Sequence, residues 1–358
     1  MFENFNKPEK LRPILELLGG FSVPTVHIAG SKGKGTTATL LAKILEMHGK
    51  KVGLFTSPAI LDDSEMIQIN GRCIERERLE RLIRRVKKVA IGILELNEFE
   101  ILTLAALIFF REEACDFAVL ECGLGGIFDA TNMVESKVLT ILTHVEVEHA
   151  DVLGSTLGEI TQNKLGICRV GVPLLTVRSQ KKEVLAEIFA RANPIFAPQV
   201  KVGYHHPESA GLAVKAAEML GYKVGVRILS GLKKVVIPGR FEFVRTHKHA
   251  VILDGAHTFD SIQHLLCQVR KFAKEGSFDE VIFGIHTLKD KPQDLWKLFP
   301  KKRTFWVQIS DPRAGSCPEG LQKLELVEFF KSHDKQVLLV IAGSFKLVKA
   351  AKLYLKTL

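Results

Sequence analysis

The chain has 358 residues, 46% hydrophobic and 25% charged, a balance and length that suit two folded domains rather than a disordered polymer. No apolar run approaches the ~20 residues of a membrane helix, the opening MFENFNKPEKLRP lacks a signal-peptide core, and the six cysteines form no CxxC pair, so a cytoplasmic protein with reduced thiols is expected and neither a zinc site nor a disulfide framework. The net charge of +10 is compatible with nucleic acid, with an anionic small substrate or with a lysine-rich surface, but the basic residues are dispersed and no aromatic-interleaved basic motif accompanies them, so no nucleic-acid partner and no membrane partner are expected.

In chain order, residues 24–29 (PTVHIA) read as a buried strand, 35–47 as a helix and 51–56 (KVGLFT) as a second strand. Residues 75–88 form a charged amphipathic helix and 100–111 (EILTLAALIFFR) an apolar one suited to a sheet face. Strands follow at 116–123, 137–143 and 173–177. After IPGRFE a second cycle begins, with strands at 249–253, 280–285, 304–309 and 336–342 and helices near 259–274, 318–332 and 344–357. Strands alternating with helices imply parallel βαβ units. The expected architecture is α/β: a P-loop ATPase-type doubly wound parallel sheet over 1–236, then a smaller Rossmann-like α/β domain over 237–358, with Pro238-Gly239 marking the linker.

Between the first strand and the first long helix lies AGSKGKGTT (29–37). Its Gly30, Ser31, Lys32, Gly33, Lys34, Gly35, Thr36 and Thr37 make a phosphate-loop pattern that is two residues short of the common one. Backbone N–H groups at a helix start hold phosphates, glycines allow close approach, Lys34 suits terminal phosphates, and Thr36 or Thr37 can reach Mg²⁺. Glu121, at the end of FAVLE, and Glu148, His149 and Asp151 of THVEVEHADVLG sit at strand ends, where open α/β sheets bind ligands. A carboxylate and an imidazole there could share a divalent ion; singly, each could be a surface residue.

These motifs, in this order, resemble the Mur ligase superfamily and, within it, the folylpolyglutamate synthase/dihydrofolate synthase family. Residues 18–58 resemble its first block, INGRCI (69–74) its N-G turn, FEILTLAAL (99–107) its F-E-x-x-T stretch, LECGLGGIFDATN (120–132) its most specific motif, and EHADVLGSTLGEITQNKLGI (148–167) its D-H-x-x-x-L-G segment. PGRFE, LDGAH (253–257), KDK (289–291), DPRA (311–314) and AGSF (342–345) follow in family order. The resemblance implies an ATP-dependent amide ligase that adds L-glutamate to a pterin or folate carboxylate acceptor (dihydropteroate, a folate, or both) through an acyl phosphate, as a monomer. It implies Mg²⁺ at Ser57, Glu121 and His149, catalytic roles for Lys34, Lys164, His149 and His257, and nucleotide contacts from Arg240, Asp254 and His257. It also implies a carbamate on Lys164, whose other reading is a plain helix-surface lysine, and domain closure that keeps water from the acyl phosphate. The chain departs from the pattern at Ser31-Lys32 for T-N, Ala59 for His, Met66 for Arg, Ser209 for an adenine-side Asn, and Thr258 and Phe259 for N-P. The alternatives are a Mur-type amide ligase with a different acceptor or amino acid, and a protein that binds ATP without catalysis.

Overall fold

The computed structural model describes residues 6–288, 294–333 and 337–358; the KDK segment and the first residue of the strand expected at 336 lie outside them. The chain divides into two compact units, Met1–Val235 and Val236–Leu358. The first holds, in order, α1 (Pro8–Leu17), β1 (Thr25–Ala29), α2 (Lys34–Met47), β2 (Val52–Phe55), β3 (Ile67–Ile69), β4 (Arg72–Cys73), α3 (Arg76–Ala90), α4 (Glu98–Glu112), β5 (Phe117–Glu121), β6 (Lys137–Leu142), α5 (Ala150–Leu153), α6 (Leu157–Leu165), β7 (Leu174–Val177), α7 (Lys182–Arg191), β8 (Ile195–Ala197), α8 (Pro207–Met219) and α9 (Val226–Leu232).

Eight strands form one sheet in the order β4-β3-β2-β5-β1-β6-β7-β8. From β2 to β8 the pairings are parallel; β3 and β4 add an antiparallel hairpin at one edge. β1 is buried at every residue, as a central strand covered on both faces must be. On one face Leu79, Leu82, Val86 and Ala90 of α3, spaced to share a helix side, join α1 and the apolar α4 around Phe55 and Leu120. On the other face Leu40, Leu41 and Ile44 of α2 pack with α8 and α9 over Val26, Ile28 and Val119. α4 is started by a capping box between Asn97 and Glu100. Because β1 lies between β5 and β6, the carboxyl ends of three adjacent strands open side by side, the place where such sheets carry ligands.

The second unit holds β9 (Glu242–Arg245), β10 (Ala250–Leu253), α10 (Phe259–Glu275), β11 (Glu280–Ile285), β12 (Thr304–Gln308), β13 (Gln322–Glu325), α11 (Leu326–Lys331), β14 (Val337–Ala342) and α12 (Phe345–Leu355). Its sheet runs β13-β12-β11-β14-β10-β9, parallel except for β9. The helix expected over 318–332 is corrected here. Residues 322–325 extend along β12 as an edge strand, and only Leu326–Lys331 is helical. Pro318 and Gly320 (φ +85°) interrupt a helix there, and the edge of β12 offers backbone groups that a strand satisfies. None of the described helices is long and apolar enough to cross a membrane.

The fold rests most visibly on α4. Phe110 is fully buried, and its ring fills the space where a side chain at Gly53 of β2 would stand. Phe110→Ala is expected to destabilise the first unit by about 3–5 kcal/mol, read as a lower urea midpoint at unchanged slope.

Candidate active site

The loop from Gly30 to Gly33 leaves the carboxyl end of β1 and turns into α2. Gly30 has φ +141°, and any side chain on it would overlap the Thr143 hydroxyl, so only glycine lets β1 and β6 approach here. Gly33 caps α2 in the left-handed region (φ 85°) with no side-chain cap. The first intrahelical acceptor serves Thr37 N–H, which donates to Gly33 O at 2.9 Å. The N–H groups of Lys34, Gly35 and Thr36 therefore point from an uncapped helix start, an anion site by geometry and dipole. The Thr37 hydroxyl is buried and has no hydrogen-bond partner among the described residues, and the Ser209 hydroxyl lies 2.6 Å from where a Cβ on Gly33 would be.

Two ammonium groups converge on this loop. Lys34 Nζ donates to Gly30 O at 3.1 Å, and Lys164 Nζ donates to the same oxygen at 3.0 Å. Lys164, on α6, is only 1% exposed, so it is no surface lysine. It also donates to Glu148 Oε1 at 2.8 Å. Burial pulls the Lys164 amine below the ordinary lysine range; Glu148 opposes that and Lys34 adds to it. For Glu148, burial works to raise the carboxyl, but Lys164 and Lys34 outweigh it and hold the group low.

Glu121 ends β5 and is buried. Its Oε2 accepts from Ser57 N–H at 3.1 Å and would lie 3.0 Å from a Cβ on Gly35, so the carboxylate rests against the start of α2. Ser57 follows β2 and precedes a cis peptide to Pro58. His149 lies on the segment after β6, exposed, in the left-handed region (φ 48°) as the residue that begins α5. The structure brings Ser57 and Glu121 into contact at the ends of β2 and β5, whereas His149 follows β6, on the far side of β1.

The Gly-rich motif after Glu121 shapes the neighbourhood. A Cβ on Gly126 would stand 2.6 Å from Lys164 O, and Gly126 N–H donates to Asn163 Oδ1 at 3.1 Å, so the loop is moulded to the turn of α6 that carries Lys164. Beneath it runs a buried chain that composition did not reveal: Asp129 accepts from the Thr131 hydroxyl at 2.5 Å, Thr131 pairs with His27 Nε2 at 2.7 Å, and His27 Nε2 lies 3.1 Å from Cys122 Sγ. Burial, with Lys137 and Arg169 nearby, keeps His27 well below the ordinary histidine range and so neutral. The chain ties β1, which leads into the phosphate loop, to β5, which delivers Glu121. Of the departures, Met66 is buried among the apolar residues of the α3–α4 face and Ala59 packs against them.

In the second unit, Asp254 follows β10. Its carboxylate accepts from Phe241 N–H at 2.7 Å and Ala256 N–H at 2.8 Å; burial raises its pKa while Arg240 and these bonds oppose the rise. Arg240 lies over the Phe345 ring, 4.5 Å from its centre. His257 Nδ1 donates to Gly255 O at 2.7 Å, which leaves Nε2 as the acceptor in the neutral ring. Thr258 begins α10 through a capping box with Ser261, and Phe259 beside it is exposed.

A scan against protein-family models finds no match. The chain is 32% identical over 311 residues to the dihydrofolate synthase/folylpolyglutamate synthase of Bacillus subtilis, covering 74% of this chain and 71% of that protein. It is 30% identical over 363 residues to the protein of the same name from Buchnera aphidicola of Schizaphis graminum, covering 90% and 85%. Among solved structures it resembles the bifunctional folylpolyglutamate synthase/dihydrofolate synthase of Yersinia pestis complexed with AMPPNP and a Mn ion, at TM-score 0.84 and 22% identity over 98% of this chain and 93% of that one.

The Lys164–Glu148 pair yields a pH test. Glu148 is held low in the folded state, so its stabilisation is present above the unfolded carboxylate pKa (about 4.3) and is lost as pH falls through the lower folded value. In protein with unmodified Lys164, prepared free of bicarbonate, Glu148→Gln should cost about 3 kcal/mol at pH 7, because it strips the partner from a buried amine that Glu148 keeps protonated. In urea titrations, the gap from the parent chain should close as pH falls below about 4.

Proposed function

The chain belongs to the dihydrofolate synthase/folylpolyglutamate synthase family, and from that premise we propose how its residues perform the reaction. The protein is an ATP-dependent ligase that joins L-glutamate to dihydropteroate or a folate. The reading adds that it works as a cytoplasmic monomer and that the acceptor carboxylate is activated as an acyl phosphate. The observation that carries it is the uncapped start of α2, with two lysines on one loop carbonyl and a buried carboxylate against Gly35.

The chemical difficulty is charge. A carboxylate has to approach a polyphosphate, and both are anions. ATP supplies the phosphoryl group that turns the carboxylate into a reactive acyl donor. The N–H groups of Lys34, Gly35 and Thr36 bind phosphate oxygens, and the glycines at 30, 33 and 35 let the backbone come close. Lys34 spends one of its three donors on Gly30 and keeps two for the terminal phosphate. Ser57, Glu121 and His149 are the residues that would hold Mg²⁺, and the ion would supply charge screening. Thr36 or Thr37 adds a hydroxyl, and the buried Thr37 Oγ1, with no hydrogen-bond partner among the described residues, fits such a ligand.

Lys164 is proposed to act as its carbamate. The lowered amine pKa supports this, since only the neutral amine attacks CO₂, forming an N–C bond and releasing a proton. A carbamate beside Glu148 sets two anions together, a pairing that a second divalent cation stabilises. From the second unit, Arg240 and His257 are proposed nucleotide contacts. Asp254, with both oxygens on backbone N–H groups, shapes the loop that presents them.

The test is phosphate release by purified protein with Mg-ATP and L-glutamate, with dihydropteroate, tetrahydrofolate or no acceptor, and product masses measured. A gain of one glutamate on a pterin acceptor is expected. Phosphate release only with another carboxylate would leave the ligase chemistry and remove the folate acceptor. Lys34→Ala should lower the rate by about a hundredfold or more. In protein incubated with ¹³C-bicarbonate, a carbamate carbon signal should appear and be absent from Lys164→Ala; its absence from both removes the carbamate.

A further inference from the structure

We propose that Glu146 is a positioning residue for the nucleotide loop, gripping it through Lys32 and Ser31, and that Lys32 serves this clamp rather than touching phosphate itself. The inference rests on the reading of residues 30–37 as the ATP loop.

The first half of that loop is bound to the chain that leaves β6. Ser31 and Lys32 N–H both donate to His144 O, at 2.8 and 3.2 Å. Ser31 Oγ donates to Glu146 O at 3.1 Å and accepts from Glu146 N–H at 3.0 Å. Lys32 Nζ reaches Glu146 Oε1 at 2.5 Å, with both side chains about a quarter exposed (27% and 21%). The same Oε1 lies 3.8 Å from His144 Nε2, and His144 Nδ1 is 3.9 Å from Glu208, so the His144 ring stands between the clamp carboxylate and a second acid.

This arrangement splits the loop by function. The N–H groups of Ser31 and Lys32 are committed to His144 O, whereas those of Lys34, Gly35 and Thr36 belong to the uncapped helix start. The clamp also lies on the segment that continues to Glu148, which holds Lys164, and to His149. Pulling on residues 144–146 therefore moves the phosphate loop and the groups beside it together. Lys32 and Ser31 stand where the family pattern has T-N, and Glu146 gives the Lys32 cation a local partner. A lysine so paired brings little net charge to an incoming anion.

The two roles for Lys32 predict opposite behaviour of Glu146. If the pair positions the loop, Lys32→Ala and Glu146→Ala (or Glu146→Gln, which keeps the volume) should each weaken binding of AMPPNP with Mg²⁺, measured by calorimetry, by roughly three- to tenfold. The double variant should be no weaker than the weaker single one, Lys32→Arg should stay near the parent, and the exchanged pair Lys32→Glu with Glu146→Lys should recover most of the loss. In steady-state assays the effect should fall on KM for ATP, with kcat within about twofold. Thermal melting separates loss of folding from loss of binding. The proposal is overturned if Glu146→Ala binds AMPPNP as well as or better than the parent while Lys32→Ala is weakened, or if the two losses multiply in the double variant. A parent chain that binds AMPPNP but forms no glutamyl product removes the proposed function and leaves the clamp to be decided by calorimetry. One that binds no nucleotide overturns both.

Discussion

The amino groups of Lys34 and, unmodified, Lys164 donate to one oxygen, the carbonyl of Gly30, and the loop and the groups beside it are arranged around that sharing. With Lys164 unmodified and protonated, like charges repel here, and negative charge nearby offsets the repulsion. Glu148 supplies part of it on Lys164, and the Gly30 carbonyl dipole supplies more. What remains at the start of the uncapped helix is Lys34 and a set of backbone N–H groups, an arrangement that suits an anion. Its position depends in turn on a steric condition: Gly30 must pass the Thr143 hydroxyl with no side chain between them.

The supporting structure follows from this need. β1 carries the loop, β5 delivers Glu121 and β6 delivers the segment with Glu148 and His149, and the sheet sets the three side by side. The buried His27–Thr131–Asp129 chain fixes β1 against the loop after β5: Thr131 donates to Asp129 and accepts from His27 Nε2, and burial keeps the imidazole neutral. The Gly-rich motif then acts through packing, since Gly125 and Gly126 let the chain lie on α6 at the turn bearing Lys164. Its specificity as a sequence pattern reflects this fit as much as contact with any substrate. The departures at Ala59 and Met66 fall into the apolar face under α3 and α4, where they build core.

The second unit solves a similar problem with other means. Asp254 is half-buried with its oxygens on two backbone N–H groups, so it holds the turn after β10 in place, while Arg240 is spread over Phe345 and His257 Nδ1 is held on Gly255 O. These contacts order all three side chains within the second unit.

The sequence by itself determined the alternation of strands and helices, the glycine-rich loop between β1 and α2 and the acids at strand ends, because these depend on local periodicity, on glycine and on residue type. It erred at 318–332, where the unsatisfied edge of β12 outweighed helical pattern and drew 322–325 into the sheet. It could not separate a surface lysine from a buried one at 164, since burial is set by α6 lying over the Gly-rich loop and not by the neighbours of Lys164 in the chain. Nor could it pair Lys32 with Glu146 or set Cys122 against His27, contacts that join residues more than ninety positions apart. Only the tertiary structure decides which charges meet, because the energy of a charge depends on distance and on exclusion of water, and both are properties of the folded chain.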